Sequence, residues 1–164
     1  MTDDELLAFS GEHLFYELEM VFWAGPLALA YAAPESVDQQ IIKNALVESF
    51  ATHLRVLTAF FYDGRKWRDD VIAEDYVADV AAWRAARGPV PEVLKRAAQR
   101  TGGEVAHLTR RRHADPGNKA WAPPELIGAL ADPVRTFVAM TPPTRLDWRV
   151  RTLAAELGAR LAAG

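Results

Sequence analysis

Ser36–Gly64, SVDQQIIKNALVESFATHLRVLTAFFYDG, is the stretch on which the reading of the whole chain turns. Ile42, Leu46, Phe50, Leu57 and Phe60 recur at helical spacing, which predicts one long amphipathic helix from about Ser36 to Tyr62. Asp63-Gly64 supplies the stop. At 100° per residue His53 falls in the middle of the apolar arc. Glu48, Thr52 and Arg55 share a ridge on the far side.

The same periodicity extends in both directions. Upstream, a helix is expected from Asp3 to about Tyr31, with an acidic first turn that complements the helix dipole. Leu7, Leu14, Leu18 and Val21 form its stripe, Phe15 and Phe22 widen it, and Gly25-Pro26 should kink or divide it. The run Met20–Ala33 is apolar but shorter than the ~20 residues a membrane-spanning helix needs. It reads as a helix buried in a core or a subunit interface.

Downstream, Glu74 or Asp75 is expected to begin a short helix with Tyr76, Val80 and Trp83 inward. Pro91 opens the next, whose packing stripe is Leu94, Ala98, Thr101, Val105 and Leu108. Pro123-Pro124 starts another with Leu126, Ile127, Leu130, Val134 and Phe137 inward, and Asp132-Pro133 is a point where it could split. After the break at Thr141–Thr144, a last helix from about Arg145 to Ala162 carries Leu146, Val150, Leu153, Leu157 and Leu161. That stripe suits docking on the bundle or pairing with a second subunit. No alternating run of strand type competes. The expectation is all-α: an antiparallel bundle of five to six helices forming one domain over 1–164, its core at about 3–140 and a C-terminal amphipathic helix at about 145–162.

Composition narrows the function. The 164 residues carry 19 Lys and Arg against 22 Asp and Glu, a formal charge of −3, so nothing pulls the whole chain toward nucleic acid or an anionic membrane. There is no cysteine, which excludes disulfides, thiolate metal sites and cysteine nucleophiles. The opening Met-Thr-Asp-Asp-Glu has the wrong charge for a signal peptide. A cytoplasmic protein with no membrane partner is expected.

Positive charge is instead local. Lys95–Lys119 holds seven Lys or Arg against two Asp or Glu, including the run Arg110-Arg111-Arg112. Within it Arg96, Arg100, Gly103 and His107 follow one helical ridge, and a regular helix would set the Arg100 and His107 Cα atoms ~10.5 Å apart along its axis. A forked guanidinium and a titrating imidazole at that separation could serve one phosphate, the imidazole moving protons and the guanidinium stabilising charge. The plainer alternative is a solvated Arg100, a half-buried hydrogen-bonded His107 and arginines that serve as a helix end. Gly102-Gly103, costing about 2 kcal/mol of helix propensity against alanines, marks a break, a bend or a close backbone approach. His13, His53 and His107, one on each of three helices, leave open a metal site.

Arg100-Thr-Gly-Gly-Glu-Val-Ala-His107 resembles the Arg-x(4–6)-His motif of the HEPN superfamily. The wider set resembles bacterial members of that group: Glu48-Ser-Phe-x-x-His53-x-Arg55-x-Leu57-x-x-Phe60, then Asp69-Asp70-x-x-Ala-x-Asp75-Tyr76, then Ala106-His107-Leu108-Thr109. HEPN proteins are small helical bundles that include metal-independent ribonucleases and components of abortive-infection and toxin–antitoxin systems. The resemblance implies a homodimer with facing motif helices, Arg100 and His107 as the catalytic pair, and Glu48, His53, Arg55 and Thr101 in support. RNA would be the substrate or ligand, with Arg110, Arg111 and Arg112 on its phosphates; an antitoxin-type protein would be a further partner, and no cofactor or metal is called for. Against this stand a non-catalytic interaction bundle and a metal enzyme built on the three histidines.

Overall fold

The computed structural model describes residues 1–107, 109–110 and 120–162, with side chains to residue 157. Among them seven α-helices run α1 (Asp3–Phe9), α2 (Phe15–Ala30), α3 (Val37–Tyr62), α4 (Val80–Arg87), α5 (Glu92–Arg100), α6 (Pro123–Met140) and α7 (Trp148–Ala162). A π turn, Ser10–Leu14, joins α1 to α2 as one continuous rod, so six rods pack into an all-helical bundle. No strand occurs among the described residues. No helix among them is long and apolar enough to cross a membrane.

The π turn resets the register of the first rod. One extra residue per turn moves the inward position back by one, so Leu6 rather than Leu7 is buried with Leu14. The turn sits where the residue leading into α7 docks. The buried Ser10 hydroxyl donates to the Leu7 carbonyl at 2.8 Å and accepts the Asp147 amide at 2.9 Å. A Cβ on Gly11 would stand 2.8 Å from the Asp147 carboxylate and from the Arg149 guanidinium.

Two expected interruptions do not occur, and one expected helix start is displaced. α2 passes through Gly25-Pro26 unbroken, and α6 passes through Pro133, which is buried. Gly25 marks a close approach: a Cβ there would lie 2.7 Å from the Phe50 ring and 3.0 Å from Pro123. The helix expected from Glu74 or Asp75 begins instead at Val80, behind the Asp79 side-chain cap. Glu74 and Asp75 sit in a single 3-10 turn and hold Arg84 and Arg65.

α2 and α3 form an antiparallel hairpin, Ser36 capping α3 through the Gln39 amide at 3.2 Å. α6 packs on α2, α4 and α5, and α7 docks on α6, α2 and the π turn, so the last helix packs against its own bundle. Phe60, Phe61, Tyr76, Trp83 and Phe137 fill the centre edge to face.

Gly25→Ala should lower stability by about 1–3 kcal/mol through overpacking against Phe50. Gly128→Ala, on α6 with nothing within 4 Å of the added carbon, should raise it by about 0.4–1 kcal/mol. Urea denaturation of both variants measures the contrast.

Candidate functional site

α5 carries the basic segment, and its last residue is Arg100. The glycines do not extend it. Thr101–Val105 is a second π turn, and Ala106 and His107 lie beyond it in a bend. Arg100 and His107 therefore do not share a regular helical ridge, because the wider turn adds a residue and rotates the residues beyond it by about 100°. Gly102 is in open space apart from the Arg55 guanidinium at 3.9 Å, so a close backbone approach is not its reason.

Arg100 is enclosed by protein groups. Its Nε and Nη2 donate to the Glu104 carboxylate at 3.0 and 2.9 Å, and Nη1 donates to the Ala120 carbonyl at 3.1 Å. The guanidinium also stands over the Trp121 ring, 4.4 Å from its centroid. The side chain is 27 % exposed. Carboxylate, carbonyl and indole face together meet a guanidinium's usual needs, as a structural arginine's partners do.

Thr101 is buried, and its hydroxyl is within hydrogen-bond reach of the Ala97 and Ala51 carbonyls at 2.9 and 3.2 Å. It links the end of α5 to α3 and faces no solvent. His107 and Arg110 are exposed. Arg111 and Arg112 lie outside the described residues, as does Leu108.

The other expected supports are scattered. Glu48 and Arg55 are exposed on the outer side of α3. His53 belongs to a different surface: its Nδ1 lies 2.7 Å from the Glu17 carboxylate, and the Tyr16 ring meets its imidazole edge-on at 5.3 Å. The pair is largely buried, 15 % and 24 % exposed, where α2 meets α3. His13 is exposed on the first π turn, against the Phe9 ring. Among the described residues no group of three or more His, Asp or Glu side chains is placed to hold a metal ion, and the three-histidine arrangement is not assembled.

Sequence reasoning left the apolar run Met20–Ala33 as core or interface; the structure turns part of it outward on the α2–α3 hairpin. Tyr16, Met20, Trp23, Leu27 and Ala30 succeed one another at intervals of four and three along α2. Tyr16, Trp23 and Leu27 are each about half exposed, at 48 %, 51 % and 51 %. Beside them α3 exposes Ile41, Ile42 and Val56, with Ala45 and Thr52 between. No charged residue stands at any of these positions. The signal was present in the sequence: α2 is apolar on both sides, which a helix with only one packed face does not require.

Comparison of the chain with protein-family models, with curated proteins and with solved structures returns no match.

Arg100→Ala should cost about 1–3 kcal/mol, because it strands the Glu104 carboxylate and removes the stack on Trp121. Arg96→Ala, at an exposed position on the same helix, should stay within about 0.5 kcal/mol. Thermal and urea unfolding distinguish the two; equal small effects would make Arg100 a solvated arginine.

Proposed function

We propose that the protein is a helical interaction protein that self-associates through the outer face of α2 and α3. The supporting observation is the exposed apolar surface of Tyr16, Met20, Trp23, Leu27, Ile41, Ile42 and Val56, with Glu48 as a charged neighbour on the same face of α3. An apolar patch of this kind marks an interaction site on a soluble protein. Two antiparallel helices laid against the same pair of a second copy make a four-helix layer, and the four-three spacing on α2 is that of a helix–helix seam. Trp23, large and central, is the kind of residue on which such interfaces depend.

The chain should therefore sediment as a dimer, and Trp23→Glu with Leu27→Glu should weaken association by at least about thirtyfold, the effect of losing a hot spot. The helical circular-dichroism signal should be unchanged, because both side chains already face outward. A wild-type chain that sediments as a monomer at tens of micromolar would overturn the reading.

A second reading, RNA binding or metal-independent cleavage at Arg100 and His107 by a HEPN-like protein, has one observation in its favour. His107 and Arg110 are both exposed just beyond the end of α5 that carries Arg100. In that reading Arg100 must exchange Glu104 for a phosphate. RNA cleavage that persists in EDTA and disappears in His107→Ala would support it; intact RNA after incubation with the wild-type protein would count against it.

A further inference from the structure

A cleft of about 580 Å³ lies where the first π turn, the C-terminal turns of α3 and the loop 63–72 meet. It lies apart from Arg100; of the outer apolar face Val56 borders it, while Trp23 and Leu27 do not line it. Leu14, Leu57, Phe60 and Ile72 give it a buried apolar floor, and Phe9 forms one wall. Its volume is that of an ordinary small-molecule pocket.

Three carboxylates, Glu17, Asp63 and Asp70, also line it, against one lysine, Lys66, and the imidazole of His13. That lysine is already matched: its ammonium donates to the Asp63 carboxylate at 2.5 Å. The loop is held from within. The Asp70 carboxylate accepts the Lys66 and Trp67 amides, both at 2.8 Å, and these bonds keep its acid strength above that of an ordinary aspartate. Arg65 ties the Asp70 carbonyl to Asp75. So fixed, the loop carries Trp67 at the edge of the cleft with 72 % of its surface exposed. An indole there offers a ring face to whatever enters the cleft.

We propose that this cleft binds a small amine with an apolar, preferably aromatic, body. The body lies on Leu14, Leu57, Phe60 and Ile72. The ammonium is held by the rim carboxylates Glu17 and Asp63, which it shares with their own partners His53 and Lys66, and the Trp67 face adds a cation–π contact. A carboxylic acid of the same shape meets repulsion at the same rim, and a neutral alcohol meets neither attraction nor repulsion.

Calorimetric titration of the full chain with naphthylethylamine, naphthylethanol and naphthylacetate tests this directly. The amine should bind one per chain with a dissociation constant on the order of 100 μM. The alcohol should bind about two- to fivefold more weakly, the range of a partly exposed charge contact, and the acid more weakly still. Ala59→Trp, which places an indole in the cleft, should abolish binding. Gly64→Trp is a second blocking variant, at a lining residue whose added Cβ meets no heavy atom within 4 Å. Trp23→Glu with Leu27→Glu should leave the amine's affinity unchanged, which separates this site from self-association. The proposal is overturned if the amine gives no binding at millimolar concentration. It is equally overturned if alcohol and acid bind as tightly as the amine, or if both folded blocking variants retain full affinity.

Discussion

The Phe137 ring is the point through which the bundle is joined. Its centroid lies 5.5 Å from Phe60, 5.6 Å from Phe61, 5.5 Å from Tyr76 and 5.9 Å from Trp83, all at steep angles. One side chain thus binds α6 to α3, to α4 and to the segment between them. Edge-to-face pairs contribute about 0.5–1.5 kcal/mol each beyond the area they bury. Tyr76 extends the cluster to the first rod: its hydroxyl donates to the Leu6 carbonyl at 3.2 Å. Burial raises the phenol's pKa, with Asp75 adding to the effect, so the group stays a neutral donor.

An aromatic centre on one side of α3 has a consequence for the other side. Phe50, Leu54, Leu57 and Phe61 spend the inward arc of α3 on that centre. Leu18, Val21 and Phe22 do the same for α2. Gly25 lets the two helices close until Phe50 fills the space a Cβ would take. With the hairpin so tightly shut, Tyr16, Trp23, Leu27, Ile41 and Ile42 have no core left to enter and stand outward. The apolar outer face is therefore surplus to the packing of the fold.

Much of the architecture is legible in the chain. The stripe on α6 can be read residue for residue, because an unbroken 3.6-residue period needs no knowledge of neighbours. On α3 Phe50, Leu57 and Phe60 are buried as expected, but Ile42 is exposed and Leu54 and Phe61 take inward places the expected stripe omitted. The π turn at Ser10–Leu14 is not legible, since it exists where Asp147 and Arg149, more than 130 positions away, press on Gly11. Gly25-Pro26 and Pro133 mislead for the converse reason: tertiary packing holds both helices through residues that would end an isolated one. The apolar run Met20–Ala33 reads as core or interface; sequence alone does not say which side of the helix turns outward.

The Arg100 segment shows why a motif's spelling and its use are different things. Arg-x6-His is legible at once, but so is Arg100-x3-Glu104, an i,i+4 pair of opposite charges on the same residues. The first pairing needs a regular helix to His107 and a phosphate from outside. The second needs only the turn already present, and the ring of Trp121 and the Ala120 carbonyl complete it. A phosphate competing for Arg100 must displace a charged acceptor about 3 Å away that is tethered to the same turn. Tethering gives Glu104 a high effective concentration at the guanidinium. Only a polyanion held at several points at once, with His107 and Arg110 among them, has the means to win that exchange.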